Sequence, residues 1–473
     1  MSDSRTMSTA GYSTADVLTV ARIHPYYNSD VQYPSSREKI QAAREKTAED
    51  PKGYDLTAQP LLWKTPLYEV IERLVNDKSP ENTFRQGIYI STTGGGSGGR
   101  PLLFATDVHE NRRQRAAFGR FLQTVGLIDD NDLVITTHFT GHLYRSLDLI
   151  LEILENAGAS VLAAGQHMTP AEVVKLMTDF NANVLSGDSS QVIQIVHHIS
   201  TLPQEQRDSL RINKIIYTSE GLSKSQRLHI LEVFGPIQIC SVLGSAEAGP
   251  YAVSCPRSEE NRAVTAYEDF VFDTRMMMIE IFPASITEGD ALVKPLEEGH
   301  QGVIVQTSLA RLRNPLIRYV TGDVGSLHPL PAEMRARISE DEQQFLKVLR
   351  LQGRDRRFSF DWDGTYFEFN RLNQFMADPK MGILQWQVIL SKLEESLETV
   401  LEIRLLHTVI DESINGVDAL VELLEGFFYV YPGNKYRFNI TFVENLDGFE
   451  RSSTGRKVIR FVDKLDQAPN GST

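Results

Sequence analysis

Between Leu133 and Thr218 the apolar and polar positions follow two alternating rhythms. Short apolar runs over Leu133–Thr137, Ser160–Ala164, Asn183–Ser186 and Lys214–Thr218 predict strands. Between them, apolar residues recur at helical spacing over Leu147–Ala157, from Thr169-Pro170 through Phe180, and over Ser190–Ile199. Strands alternating with helices of that length predict a largely parallel, layered sheet, whose ligands sit at the C-terminal ends of its strands. From about Val271 the rhythm changes to short strands with turns, Met277–Phe282 and Gly302–Thr307 among them, and predicts a β-rich subdomain. A charged joint follows at Gly353-Arg354-Asp355-Arg356-Arg357. Beyond it, helices near Phe369–Met376 and over Asp418–Tyr429 accompany strands at Trp386–Leu390, Thr399–Arg404 and Tyr436–Phe442, a small α+β domain. Residues up to Tyr54 are polar and proline-punctuated, with one helical stretch at Glu38–Lys46, and read as a lead-in. The expected fold class is therefore α/β: a lead-in over 1–54, a large N-terminal layered α/β domain with a β-rich subdomain over 55–353, and a small C-terminal α+β domain over 354–473.

Composition narrows the function classes. A chain of 473 residues exceeds one ordinary core, and 41% apolar with 23% charged residues is the balance of a soluble globular protein. The net charge of −14 argues against a general partner among nucleic acids or anionic membranes. An anionic substrate must then meet local positive charge. Cys240 and Cys255 are too few for a disulfide framework and suit a reducing compartment, so a cytoplasmic location is expected. No apolar stretch reaches the length of a membrane span.

The run Ser91-Thr92-Thr93-Gly94-Gly95-Gly96-Ser97-Gly98-Gly99-Arg100-Pro101 follows the apolar Gly87-Ile88-Tyr89-Ile90 and reads as a phosphate-embracing loop. Glycines let successive backbone N–H groups turn toward one anion; Thr92, Thr93 and Ser97 add hydroxyls, and Arg100 a fixed charge. Gly94, Gly96 and Gly99 match the dinucleotide fingerprint by spacing, but the strand-like Leu102-Leu103-Phe104 follows where a helix should open. Arg100-Pro101 stands where a Walker loop needs Lys and then Ser or Thr. The flanking apolar runs also argue against a flexible linker.

Three further blocks follow in order: Leu243-Gly244-Ser245-Ala246-Glu247-Ala248-Gly249, then Leu316-Ile317-Arg318-Tyr319-Val320-Thr321-Gly322-Asp323, and Gly353-Arg354-Asp355 at the joint. With the glycine loop they resemble the adenylate-forming superfamily of acyl-CoA synthetases, peptide-synthetase adenylation domains and luciferases. The Pro315-Leu316-Ile317-Arg318-Tyr319 wording is most similar to its phenylacetate–CoA ligase branch.

The resemblance implies an ATP- and Mg2+-dependent ligase that activates a small carboxylic acid as an acyl-AMP and passes it to coenzyme A. It implies that Thr92 to Arg100 hold the β- and γ-phosphates, that Glu247 binds magnesium, and that Asp323 accepts hydrogen bonds from the ribose. Ser219, Glu220, Gly221, Leu243, Gly244, Ser245 and Arg354 would complete the nucleotide site. The acid would lie near His138, Phe139, Gly141, His142 and Tyr144, side chains that suit a flat or apolar acid. The C-terminal domain would be mobile, with Arg356 as hinge. Only Cys255 stands where relatives in the branch often carry a zinc cluster, so no zinc is expected. The family's catalytic lysine usually follows a glycine directly; here Gly455 is followed by Arg456 and then Lys457. Either a one-residue shift keeps Lys457 in the role, or Arg456 supplies the charge. Two alternatives stand beside coenzyme A transfer: an amine or a carrier protein as acceptor, and a non-catalytic homologue that only binds ligand.

Overall fold

The structure, a computed structural model, describes residues 11–49, 54–92, 103–141, 143–218, 221–222, 224–254, 267–286, 293–354, 359–378, 381–393, 398–407, 416–451 and 458–465. By their contacts these form two units, one holding the residues up to Thr92 and from Leu103 to Gly353, the other those from Arg354 onward.

The first unit opens with α1 (Thr14–Ala21), α2 (Arg37–Glu49) and α3 (Lys64–Asn76), followed by a hairpin of β1 (Ile88–Thr92) and β2 (Leu103–Asp107). Helices α4 (Val108–Thr124), α5 (Ser146–Asn156), α6 (Pro170–Phe180) and α7 (Ser189–Ser200) accompany one eleven-stranded sheet. Its parallel half runs in the order β4 (Ser160–Ala163), β3 (Leu133–Thr136), β5 (Val184–Asp188), β6 (Lys214–Thr218), β7 (Gln238–Ser245). The sheet continues through β8 (Gly249–Ser254), β9 (Glu268–Asp273), β13 (Leu346–Arg354), β12 (Tyr319–His328), β11 (Gly302–Ser308) and β10 (Met277–Phe282). The change from parallel to antiparallel pairing falls at β7 and β8.

Alternation along the parallel strands builds three layers. Val134, Val184 and Ile216 share a core with Phe118 and Leu122 of α4 and Ile153 and Leu154 of α5. Their neighbours Ile135, Leu185 and Ile215 share another with Val173 and Met177 of α6 and Val192 and Val196 of α7. Strands apolar at successive positions are those covered on both faces. The expected start of α6 is built as a capping box: Thr169 accepts from the Glu172 N–H, Glu172 accepts from the Thr169 N–H, and Pro170 occupies the first turn.

The lead-in is part of this unit rather than an appendage. Val17, Leu18, Val20 and Ala21 of α1 are buried in one cluster with Leu309, Leu312 and Ile317, and the Tyr12 hydroxyl donates to Glu110 of α4. The eight-residue helix is apolar, but its flanks are polar enough to mask it in any average over the segment.

The second unit begins with a hairpin of β14 (Ser359–Trp362) and β15 (Thr365–Glu368), turned by Asp363 and Gly364, both at positive φ (52° and 73°). Its four-stranded sheet has the order β18 (Phe438–Phe442), β17 (Thr399–His407), β16 (Ile383–Lys392), β19 (Phe461–Asp463). Leu372 and Met376 of the helix Phe369–Met376, and Leu420 and Leu424 of the helix Val417–Phe427, share a core with Trp386, Val388, Leu401 and Ile403.

Candidate active site

The glycine run connects two antiparallel strands. Pairing runs from Ile88 opposite Asp107 to Thr92 opposite Leu103, and the next helix, α4, begins only after β2. Both phosphate motifs set aside above need a strand entering a helix directly, and this topology differs from theirs. Thr93, Gly94, Gly95, Gly96, Ser97, Gly98, Gly99 and Arg100 lie outside the described residues. The hairpin is anchored through Tyr89, whose ring centroid is 4.5 Å from the guanidinium of Arg115 and 4.3 Å from that of Arg145. Asp148 accepts from both arginines, at 3.0 Å in each case, so Arg145 is already engaged with a carboxylate of its own chain.

The turn between β7 and β8 carries Glu247. Gly249 takes φ +71°, and a Cβ there would lie 2.9 Å from Gln114 Nε2 and 3.1 Å from Arg311 Nη2. The amide of Gln114 donates to the Ala248 carbonyl at 2.9 Å, and Arg311 donates to the Glu247 carbonyl. Two hydroxyls converge on Glu247 Oε1, Tyr68 of α3 at 2.6 Å and Tyr319 of β12 at 3.1 Å. Burial pushes the Arg311 guanidinium down to about 10, opposed by the charges of Glu110 and Glu247, so it remains a cation beside them at neutral pH. Leu243 is half-buried at the end of β7, and Gly244 and Ser245 are exposed; the Ser245 hydroxyl accepts from the Ala248 N–H.

Asp323 lies half-buried on β12, four residues after Tyr319, and its N–H donates to Thr321 Oγ1. The Tyr319 hydroxyl therefore joins the Glu247 turn to the strand that bears Asp323. Arg318, within the same block, is a structural tie. Its guanidinium pairs with both oxygens of Glu280 at 3.0 Å and donates to the carbonyls of Thr57 and Gln59.

Three strand ends meet at His138. Thr218, at the end of β6, donates to Asp188 at the end of β5, and so accepts from His138 Nε2–H at 3.1 Å. His138 Nδ1 then accepts from the Thr136 hydroxyl at 2.8 Å. Burial drives this imidazole down to about 4, only partly countered by the charge of Asp188, so it is neutral. His138 has no exposed surface, and both its nitrogens are bonded to residues of the strand ends. Phe139, Leu143 and Tyr144 are exposed on a turn closed by paired backbone bonds between Gly141 and Tyr144 and braced by Gln166, which bonds both the N–H and the carbonyl of Thr140. Gly221 is exposed after β6. His142, Ser219, Glu220, Cys255, Arg356, Arg456 and Lys457 lie outside the described residues, as does the side chain of Arg354.

Sequence reading missed Tyr68, Gln114 and Arg311, which surround Glu247, and Asp188 and Thr218, which hold His138. Tyr68 sits among Leu67, Ile71 and Leu74 at helical spacing, so its pattern marks only core. The partnership is visible only once α3 is folded against the sheet.

The donor set fits a magnesium ion that arrives with phosphates. No group of three or more His, Cys, Asp or Glu able to hold a metal occurs among the described residues. Magnesium commonly takes one or two carboxylates, substrate phosphates and water, and one oriented carboxylate at Glu247 meets that need. No helix among the described residues is long and apolar enough to cross a membrane.

The sequence matches no protein-family model and no curated protein. Solved structures do match. A 2-hydroxyisobutyryl-CoA ligase in complex with 2-HIB-AMP and CoA, in the thioesterification state, has a TM-score of 0.63 at 16% identity over 96% of this chain and 88% of that one. The same ligase in the postadenylation state gives 0.53 at 16% identity, over 95% and 88%. An amide bond synthetase, McbA from Marinactinospora thermotolerans, gives 0.50 at 15% identity, over 95% and 82%. The chain shares the fold of these solved structures.

Proposed function

We propose that the protein is an ATP- and magnesium-dependent ligase that activates a carboxylic acid as an acyl-AMP and transfers the acyl group to coenzyme A. The observation that carries this reading is the Tyr319–Glu247 hydrogen bond, which joins two of the sequence blocks that carry the resemblance. Adenylation brings a carboxylate to the α-phosphorus of ATP and expels pyrophosphate, so the site must gather negative charge and hold it in line. In this reading Glu247 holds the magnesium ion, which neutralises the phosphate oxygens. Asp323 accepts from the ribose hydroxyls, the segment Thr92 to Arg100 receives the β- and γ-phosphates, and Lys457 or Arg456 reaches the α-phosphate. Gly221, Leu243, Gly244 and Ser245, with Ser219, Glu220 and Arg354, surround the nucleotide. Phe139, Gly141 and Tyr144, with His142, offer an aromatic face to the acid, which favours an aromatic or other small apolar substrate of the phenylacetate–CoA ligase kind. Arg356 is the proposed hinge between the two half-reactions, and the scarcity of cysteine favours the cytoplasm and no zinc.

An amine as acceptor is a second reading, supported by the likeness to an amide bond synthetase. Pyrophosphate exchange into ATP, assayed over a panel of acids, tests the shared first step. Exchange should require both acid and magnesium, and should fall about 30- to 1000-fold in Glu247→Gln and in Asp323→Ala, the effect of about 2 to 4 kcal/mol lost from a transition-state contact. Undiminished exchange in both variants would remove these two assignments. Ligand binding with no exchange for any acid would favour the non-catalytic homologue.

A further inference from the structure

Glu247 is held more elaborately than a buried side chain of a turn requires. It is only 8% exposed, and the two phenols on its Oε1 belong to Tyr68 and Tyr319, themselves 4% and 3% exposed. They come from elements far apart in the chain, 179 residues before Glu247 and 72 after it. The main chain of the turn is fixed as well, by Arg311 on the Glu247 carbonyl and Gln114 on the Ala248 carbonyl. An ionised carboxylate is costly to bury, and an apolar residue of similar size would serve packing better. Two donors on one carboxylate oxygen fix the orientation of the group and take away the torsional freedom that a glutamate otherwise keeps. Such an arrangement suits a ligand that must be met in one geometry.

We propose that Tyr68 and Tyr319 are positioning residues that set the Glu247 carboxylate for the divalent cation accompanying ATP. This rests on the reading of Glu247 as the magnesium ligand. It makes helix α3, from the N-terminal segment, a working part of the site. It also gives β12 two tasks, since the strand that bears Asp323 also orients Glu247.

Tyr68→Phe and Tyr319→Phe remove the hydroxyls and keep the rings. The readout is equilibrium binding of Mn2+, followed by electron paramagnetic resonance, to the full chain saturated with adenosine α,β-methylene triphosphate. Each variant should weaken Mn2+ binding about tenfold, as expected for one lost charge-assisted hydrogen bond, while binding of the analogue without metal stays unchanged. In a Glu247→Gln background, Tyr68→Phe should add nothing, because the residue acts through the carboxylate. Wild-type Mn2+ affinity in both Phe variants, or an undiminished effect in the Glu247→Gln background, overturns the positioning role. If Glu247→Gln itself binds Mn2+ as tightly as the wild type, the magnesium assignment fails and the positioning role with it. If Glu247→Gln weakens binding and the Phe variants do not, the positioning role alone fails.

Discussion

His138 and His24 are buried imidazoles held neutral, and each makes stability depend on pH. His138 is driven down to about 4 and His24, bonded through Nε2 to Asn314, to about 3, in both cases chiefly by burial. Unfolded histidine titrates near 6.5, so below that pH the unfolded chain takes up protons that the folded chain refuses. Stability is therefore complete above about pH 7 and falls as pH drops toward 4, by up to ~1.4 kcal/mol per pH unit for each histidine. Urea midpoints between pH 7.5 and pH 5 check this, and a flat profile would contradict it. His138 also shows where reading residues in sequence stops. Its place after a strand was legible, but whether the ring points to solvent or beneath the strand ends depends on Thr136 and Thr218, and only the folded sheet brings Thr218 within reach.

The elements of the parallel half were legible because each strand is apolar at successive positions and each helix at helical spacing, so β3 to β6 and α5 to α7 fall within a residue or two of expectation. Helix α1 was not, since eight apolar-rich residues flanked by polar ones pack on partners some 290 positions later, which no local pattern encodes. The turn between β7 and β8 lies between these cases. Its Ser-Ala-Glu-Ala-Gly wording was readable, whereas the clamp by Gln114, Arg311, Tyr68 and Tyr319 was not. Gly249→Ala tests that clamp. A side chain at φ +71° is strained, and the new Cβ would press on Gln114 and Arg311, for a combined cost of about 1 to 3 kcal/mol. A denaturation midpoint lowered to that extent, with acid-dependent exchange reduced as well, is the expected outcome; an unchanged midpoint would show the turn to be looser than drawn.

For the whole molecule, the contacts divide between Gly353 and Arg354. The net charge of −14 leaves the capture of an anionic substrate to local features, and buried Arg311 beside Glu247 shows how such charges are balanced inside the first unit. If the two half-reactions use different domain arrangements, Arg356→Pro should slow one greatly and leave the other near normal, because proline fixes φ near about −65°. Separate assays of adenylation and of thioester formation from preformed acyl-AMP give the comparison. Both rates unchanged would exclude rotation at Arg356.

In the proposed reaction the acid's carboxylate attacks the α-phosphorus of ATP. Turnover of acids whose carboxylate oxygens carry a heavy isotope, in the presence of ATP, magnesium and coenzyme A, reads that bond directly by mass spectrometry of the products. AMP should carry one heavy oxygen from the acid, with unlabelled pyrophosphate. Heavy oxygen in inorganic phosphate alongside ADP would place the attack at the γ-phosphorus and contradict it.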